Sequence, residues 1–184
     1  MLGLYAHKVV SGTAHQGRRR TTRVVAVGVV AALSLGLAAC SSSPAAPTYN
    51  PTTAKADIAA SYNTLFHFKT GTLASKEAVI QNGKSLAKAM GQALASSEAS
   101  AADGAKVDSV SFLSATGCSG KSLPSPCAKV KYDILGTSGT AILAGNTGYT
   151  VLTGSTWQVA KTTICTLLGL FYTAEGKTGS PPGC

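Results

Sequence analysis

Five cysteines are the residues of this 184-residue chain best equipped for covalent chemistry, and their surroundings differ. Cys40 closes the run Leu37-Ala38-Ala39-Cys40. An aliphatic residue, two small residues and then cysteine is the pattern of a bacterial lipobox. Small side chains let extended backbone enter a lipoprotein signal peptidase, and the cysteine thiol is the nucleophile that accepts a diacylglyceryl group. Cleavage is expected between Ala39 and Cys40, leaving Cys40 as the lipidated first residue of the mature protein. The other four cysteines follow in a compartment that permits disulfides, where four thiols allow three connectivities. The expected pairing joins Cys118 to Cys127 across a short loop and Cys165 to the terminal Cys184, pinning a Gly/Pro-rich tail against the domain's sheet. A free Cys165 buried within Ile-Cys-Thr-Leu-Leu is the competing state.

Other reactive types are sparse. His67 is the single histidine after Cys40, so a catalytic triad or a His-based metal site is hard to assemble. It falls about 180° around a helix from Ile58 and is expected to be exposed. No Cys-x-x-Cys is present. Gly120-Lys121-Ser122 resembles the end of a phosphate-binding loop, but the preceding glycine is misplaced, and Pro124 and Pro126 follow where a helix should start. Among the seven acidic residues, Asp133 points away from Tyr132 by strand parity, and Asp108 lies at a strand start. None falls in an apolar stripe where burial would raise its pKa. The chain is therefore expected to be non-catalytic, with no cofactor and no metal.

The segment before Cys40 carries its own signal. Arg18-Arg19-Arg20-Thr21-Thr22-Arg23 precedes Val24–Leu37, which is apolar apart from Ser34 and two glycines. A basic flank, a short apolar core and small residues at a cleavage site form a secretory signal, here residues 1–39. The apolar stretch, 24–39, is 16 residues, short of the roughly 20 that a spanning helix needs. Arg19-Arg20 hints at twin-arginine export, but Thr21-Thr22-Arg23 continues it poorly, and the long basic region leaves room for a later start codon. Lys8 and four arginines, but no acidic residue, precede Cys40, so the formal +9 becomes 11 basic against 7 acidic residues, or +4. Those charges are scattered singly, without the clustered footprint of a nucleic-acid surface. Two or more acyl chains hold a membrane stably without a polybasic helper. Residues 40–53 accordingly read as an uncharged, Pro-punctuated tether at the outer face of the cell membrane, with a Ser/Thr/Pro content that also permits O-glycosylation.

The elements of the remaining domain, residues 54–175, are read from periodicity. Ile58, Tyr62, Leu65 and Phe66 share one helix face, closed by Thr70-Gly71. A second helix covers Leu73–Ile80, and after Asn82-Gly83 a third places Leu86, Met90, Ala93 and Leu94 on one stripe. Asp103-Gly104 reads as a turn. The period then becomes two: Val110 and Phe112 alternate with serines, while Ala128, Val130, Tyr132 and Ile134 alternate with Lys129, Lys131 and Asp133. Tyr149–Leu152 and Thr156–Thr163 flank Gly154-Ser155 as a hairpin. Helices first and strands afterwards predict an α+β domain, with N-terminal helices packed on a curved antiparallel sheet of about four strands. Residues 176–184 form the tail.

This order, with several specific blocks, resembles the low-molecular-weight secreted antigens of mycobacteria and related actinobacteria. Those proteins are similar to nuclear transport factor 2 in having a cystatin-like cone. The resemblance spans roughly residues 55–170 and rests on Tyr62…Phe66, Gln81-Asn82-Gly83 leading to Ala89-Met90, Lys131-Tyr132-Asp133-Ile134-Leu135 and Asn146-Thr147-Gly148. It closes with Trp157-Gln158-Val159 and Ile164-Cys165-Thr166-Leu167-Leu168, the most specific part. It implies a cone-shaped domain in an envelope or secreted protein without assigned catalysis. Cys118, Cys127, Cys184 and the lipobox depart from the pattern.

Together these readings predict a lipid-anchored envelope protein bound to the membrane through Cys40. Between helix stripe and sheet, Tyr62, Phe66, Met90, Leu94, Phe112 and Tyr132 are candidates to line a pocket for a small hydrophobic ligand, the alternative being that they fill the core. The competing function is a protein-interaction module, a homodimer or an envelope complex, using the sheet face of Lys129, Lys131 and Asp133.

Overall fold

The computed structural model describes residues 48–184; the signal segment, Ala39, Cys40 and most of the tether lie outside the described residues. The first helix, α1 (Pro51–Phe66), starts where local chemistry dictates. The Asn50 side chain accepts hydrogen bonds from the backbone N–H groups of Thr52 and Thr53, and proline occupies the first helical turn, where no N–H is missed. Its buried face is Ala54, Ile58, Ser61, Tyr62, Leu65 and Phe66, the stripe expected from sequence. The helix stops at Phe66, earlier than Thr70-Gly71, where His67 leaves helical geometry at ψ 73° and Lys76 takes up the end.

Lys76 lies in α2 (Leu73–Ala78), a short helix opened by reciprocal bonds between Thr72 and Ser75. Although 99% buried, its ammonium donates to the carbonyl oxygens of Thr64 (3.1 Å), His67 (2.8 Å) and Thr70 (3.2 Å) and lies 5.3 Å from the Phe68 ring centre. Thr64 lies in the last turn of α1, His67 caps it and also accepts from the Thr70 N–H, and Thr70 follows in the turn. A cation is favoured at such a helix end. A single 3-10 turn (Gly83–Leu86) then leads into α3 (Ala87–Leu94), followed by the short α4 (Ser97–Ser100).

The sheet comprises β1 (Ala102–Phe112), β2 (Cys127–Gly136), β3 (Ala141–Thr153) and β4 (Thr156–Val159), in that spatial order and antiparallel throughout. It curls into a half-barrel around α1. In β2 the alternation is as expected: Ala128, Val130, Tyr132 and Ile134 are buried, while Lys129 and Lys131 are exposed. Between β1 and β2 lies α5 (Ala115–Ser119), capped by Ser114 and preceding Gly120-Lys121-Ser122.

Three sequence readings are corrected. Asp103-Gly104 is not a turn but part of β1, where the register shifts between Ala102 and Ala105 and Gly104 takes a φ of +137°. Only glycine adopts that conformation readily, and the kink lets Ala105 donate to the Asn63 side chain. The strand read over Thr156–Thr163 ends at Val159. Lys161–Ala174 is instead a helix, α6, so helices do not all precede the strands. Its apolar residues Ile164, Leu167, Leu168, Phe171 and Tyr172 fall at i, i+3, i+4, i+7 and i+8, one face of a helix. Finally, the tail does not lie on the sheet. Cys184 is bonded to Cys165 of α6, and the Gly183 position sits directly against the backbone of Ser85.

The second bridge joins Cys118 to Cys127. With Leu123, Val151 and Ala160 these two cysteines form a small apolar cluster beside the main core. At the N-terminal end of α1, Tyr49 packs on Phe112 and Trp157 with ring centres 4.9 and 5.2 Å apart. No helix among the described residues is long and apolar enough to cross a membrane.

Candidate functional site

At the opposite, C-terminal end of α1, the half-barrel is incompletely filled. A cleft of about 280 Å3 opens there between α3, α6 and the start of β3. Leu65 and Phe66 of α1 and Ile134 of β2 form its depth. Met90, Ala93 and Leu94 of α3 form one wall, and Ile164, Leu167, Leu168 and Phe171 of α6 the other. Ile142 and Leu143 stand at the mouth, 50% and 43% exposed. Every side chain lining this cleft is apolar. Large apolar side chains left in water beside a concavity mark a binding surface more often than isolated exposed residues do.

A bulge brings Ile142 and Leu143 to that position. Tyr132 pairs with Asn146, but Ile134 pairs with Leu143, so the facing strand carries an extra residue. Gly145, at φ +71°, sits in the bulge, and its N–H donates to Asp133 Oδ1 at 2.7 Å. The bulge divides β3 into an apolar half at the cleft mouth and a polar half running from Asn146 toward the core.

Beside the apolar cleft lies a second one of about 180 Å3, lined by Tyr132, Asn146, Thr147, Tyr149, Thr162, Thr163, Thr166, Leu167 and Leu170. Leu167 belongs to both. Burial pushes the Tyr132 hydroxyl up to about 12 and raises that of Tyr62 further, aided by Tyr132 itself, so both stay protonated at neutral pH. Gly148 is required between them. A Cβ there would meet Thr163 Cγ2 and the Tyr62 hydroxyl, each at 2.6 Å.

The six expected pocket residues separate into three groups. Phe66, Met90 and Leu94 line the apolar cleft. Tyr132 stacks on Phe66 at 5.5 Å and faces the polar cleft. Tyr62 and Phe112 belong to the packed interior: Tyr62 donates to the Tyr149 carbonyl, and Phe112 packs on Trp157. The α6 wall was missed because the strand read over Thr156–Thr163 stops short of Ile164, Leu167, Leu168 and Phe171, which were assigned to no element. A larger surface depression, about 700 Å3, runs between α2, the 3-10 turn and β4. It mixes Ala74 and Ala78 with Glu77, Lys84 and Lys161 and has no aromatic floor.

His67 is also corrected. It is not a free surface histidine, because it pairs as a β-bridge with Asp103 and its Nε2 lies 3.1 Å from Asp103 Oδ1. That oxygen is buried without a hydrogen-bond partner, so the contact has full electrostatic value only with a protonated imidazole. Neither residue lines either cleft, which leaves this pair without a place for a substrate. Among the described residues no three His, Cys, Asp or Glu side chains group to hold a metal. Comparison with protein-family models, curated proteins and solved structures finds no match for this chain.

Proposed function

We propose that the chain is a lipid-anchored envelope protein of the kind the secreted-antigen resemblance implies, and that its domain takes a small apolar ligand in the cleft between α3, α6 and β3. The observation that carries this reading is the uniformly apolar lining of a preformed concavity with Ile142 and Leu143 exposed at its rim. Its volume lies at the lower edge of the roughly 300–1,000 Å3 usual for small-molecule sites, so the ligand is small or only partly enclosed. Catalysis has no support in the cleft, which contains no titratable side chain.

The test is displacement of a fluorescent apolar probe, with thermal stabilisation as a second readout. Ala93→Phe, which fills the cleft, is expected to abolish both; full probe binding by a folded Ala93→Phe variant would reject the site. Anchoring is tested by Cys40→Ser, which should move the protein from the membrane to the soluble fraction.

The interaction reading keeps one specific observation. Lys129 and Lys131 leave the outer face of the curled sheet polar and exposed. A monomer in sedimentation at high concentration would remove its homodimer form.

A further inference from the structure

The polar cleft extends the reading just given, on which this inference rests, from an apolar ligand to a particular kind of amphiphile. We propose that the ligand carries an uncharged, hydrogen-bonding head group, which lies in the Tyr132–Asn146–Thr162 cleft while its apolar body fills the neighbouring one. The two clefts are separated by Leu167 and by the Phe66–Tyr132 stack, so one molecule laid over Leu167 reaches both.

Three observations set the head group's chemistry. First, the polar cleft is lined by hydroxyls, an amide and two leucines, with no Lys, Arg, His, Asp or Glu. A carboxylate or ammonium placed there would lose hydration and gain no counter-ion, whereas a neutral hydroxyl or amide would exchange water for protein partners. Second, some polar groups are already committed. Thr163 Oγ1 accepts from Tyr149 N at 2.8 Å, Thr166 Oγ1 donates to the Thr162 carbonyl at 3.0 Å, and Asn146 Nδ2 donates to the Leu143 carbonyl at 2.9 Å. Asn146 Oδ1 and the Thr147 and Thr162 hydroxyls remain to take a ligand.

Third, Tyr132 faces this cleft, and among the described residues its hydroxyl has no hydrogen-bond partner. A hydroxyl at a cleft wall that a ligand covers loses its water and is satisfied when that ligand accepts from it. Its proton stays in place at neutral pH, so it presents a donor. Asn146, directly opposite on β3, presents an acceptor. A hydroxyl or amide, which both donates and accepts, matches the pair. An ion of either sign does not.

The test uses the full chain carrying Cys40→Ser, so that no acyl group competes. Decanol, decanoate and decyltrimethylammonium are titrated at pH 8 against the apolar probe. Decanol should bind at least tenfold more tightly than either ion, and Tyr132→Phe or Asn146→Leu should each reduce that preference about tenfold. Both variants are checked for unchanged circular dichroism, and Thr162→Val provides a third, surface-exposed substitution with the same expected direction. If all three ligands bind but the substitutions leave the preference intact, or if decanoate binds tightest, the head-group assignment is overturned and the apolar cleft stands. If none of them displaces the probe, the ligand-binding reading itself fails.

Discussion

Tyr132 and Lys76 show how burial of a single polar residue shapes this domain in opposite senses. The native fold holds the Tyr132 proton up to about pH 12, whereas an unfolded tyrosine releases it near 10. The associated stability is fully present below pH 10 and is lost as pH rises toward 12, on the order of 2 kcal/mol for this residue. Tyr62 acts in the same direction. Urea midpoints measured between pH 9 and 11.5 should fall steeply in the native chain and less steeply in Tyr132→Phe. Burial lowers the pKa of Lys76, so its contribution has the reverse sign: the folded protein sheds this proton first, and stability rises with pH up to the ordinary lysine range. Near neutrality its three carbonyl acceptors dominate. Lys76→Met should cost about 2 kcal/mol by leaving the Thr64 and Thr70 carbonyls without their donor, while His67 keeps the Thr70 N–H, read as a lowered urea midpoint with an unchanged slope.

At the scale of elements, legibility followed period and length. The α1 stripe and the alternation of Ala128 to Ile134 were readable because each buries one face of one regular element. The same helical period runs through Lys161–Ala174, at Ile164, Leu167, Leu168 and Phe171, where the strand read over Thr156–Thr163 hid the start of the helix. Neither bulge carries a period of its own. Asp103-Gly104 looks like a turn because the φ a glycine supplies serves a turn and a bulge equally well. Parity correctly placed Asp133 away from the core, but its bond to the Gly145 N–H depends on a partner strand whose first half was not recognised. The start of β3 and α6 were therefore hidden, and with them six of the fifteen residues that line the cleft. The tail was located correctly as a pinned segment but against the wrong surface. Its bridge closes a separation of 19 residues, worth about 3 kcal/mol. Replacing Cys165 and Cys184 together by serine should lower Tm by on the order of 10 °C in calorimetry. Release of the tail should also increase proteolysis after Lys177, which no longer lies in a closed loop.

For the whole molecule, charge and attachment separate cleanly. Removal of the signal segment would take away five basic residues and leave a net charge of +4, spread singly over the chain. Membrane retention on the proposed anchor should therefore be insensitive to 1 M NaCl, where electrostatic adhesion is screened within about 3 Å, yet be lost in Cys40→Ser. Fractionation with and without salt checks this, and release of the native chain by salt alone would point to surface charge instead of lipid. The second arm of the measurement is the polar sheet face: Lys129→Glu combined with Lys131→Glu should leave retention unchanged.

The 16 residues of α1 make it a spacer of about 24 Å. One pole, where Tyr49 lies against Phe112 and Trp157, is where the chain arrives from residue 48; the other pole carries the apolar mouth. Chain entry at residue 48 and the apolar mouth thus sit at opposite ends of α1. On the proposed reading, a ligand at the mouth would lie about a helix length from residue 48, where the described chain enters α1.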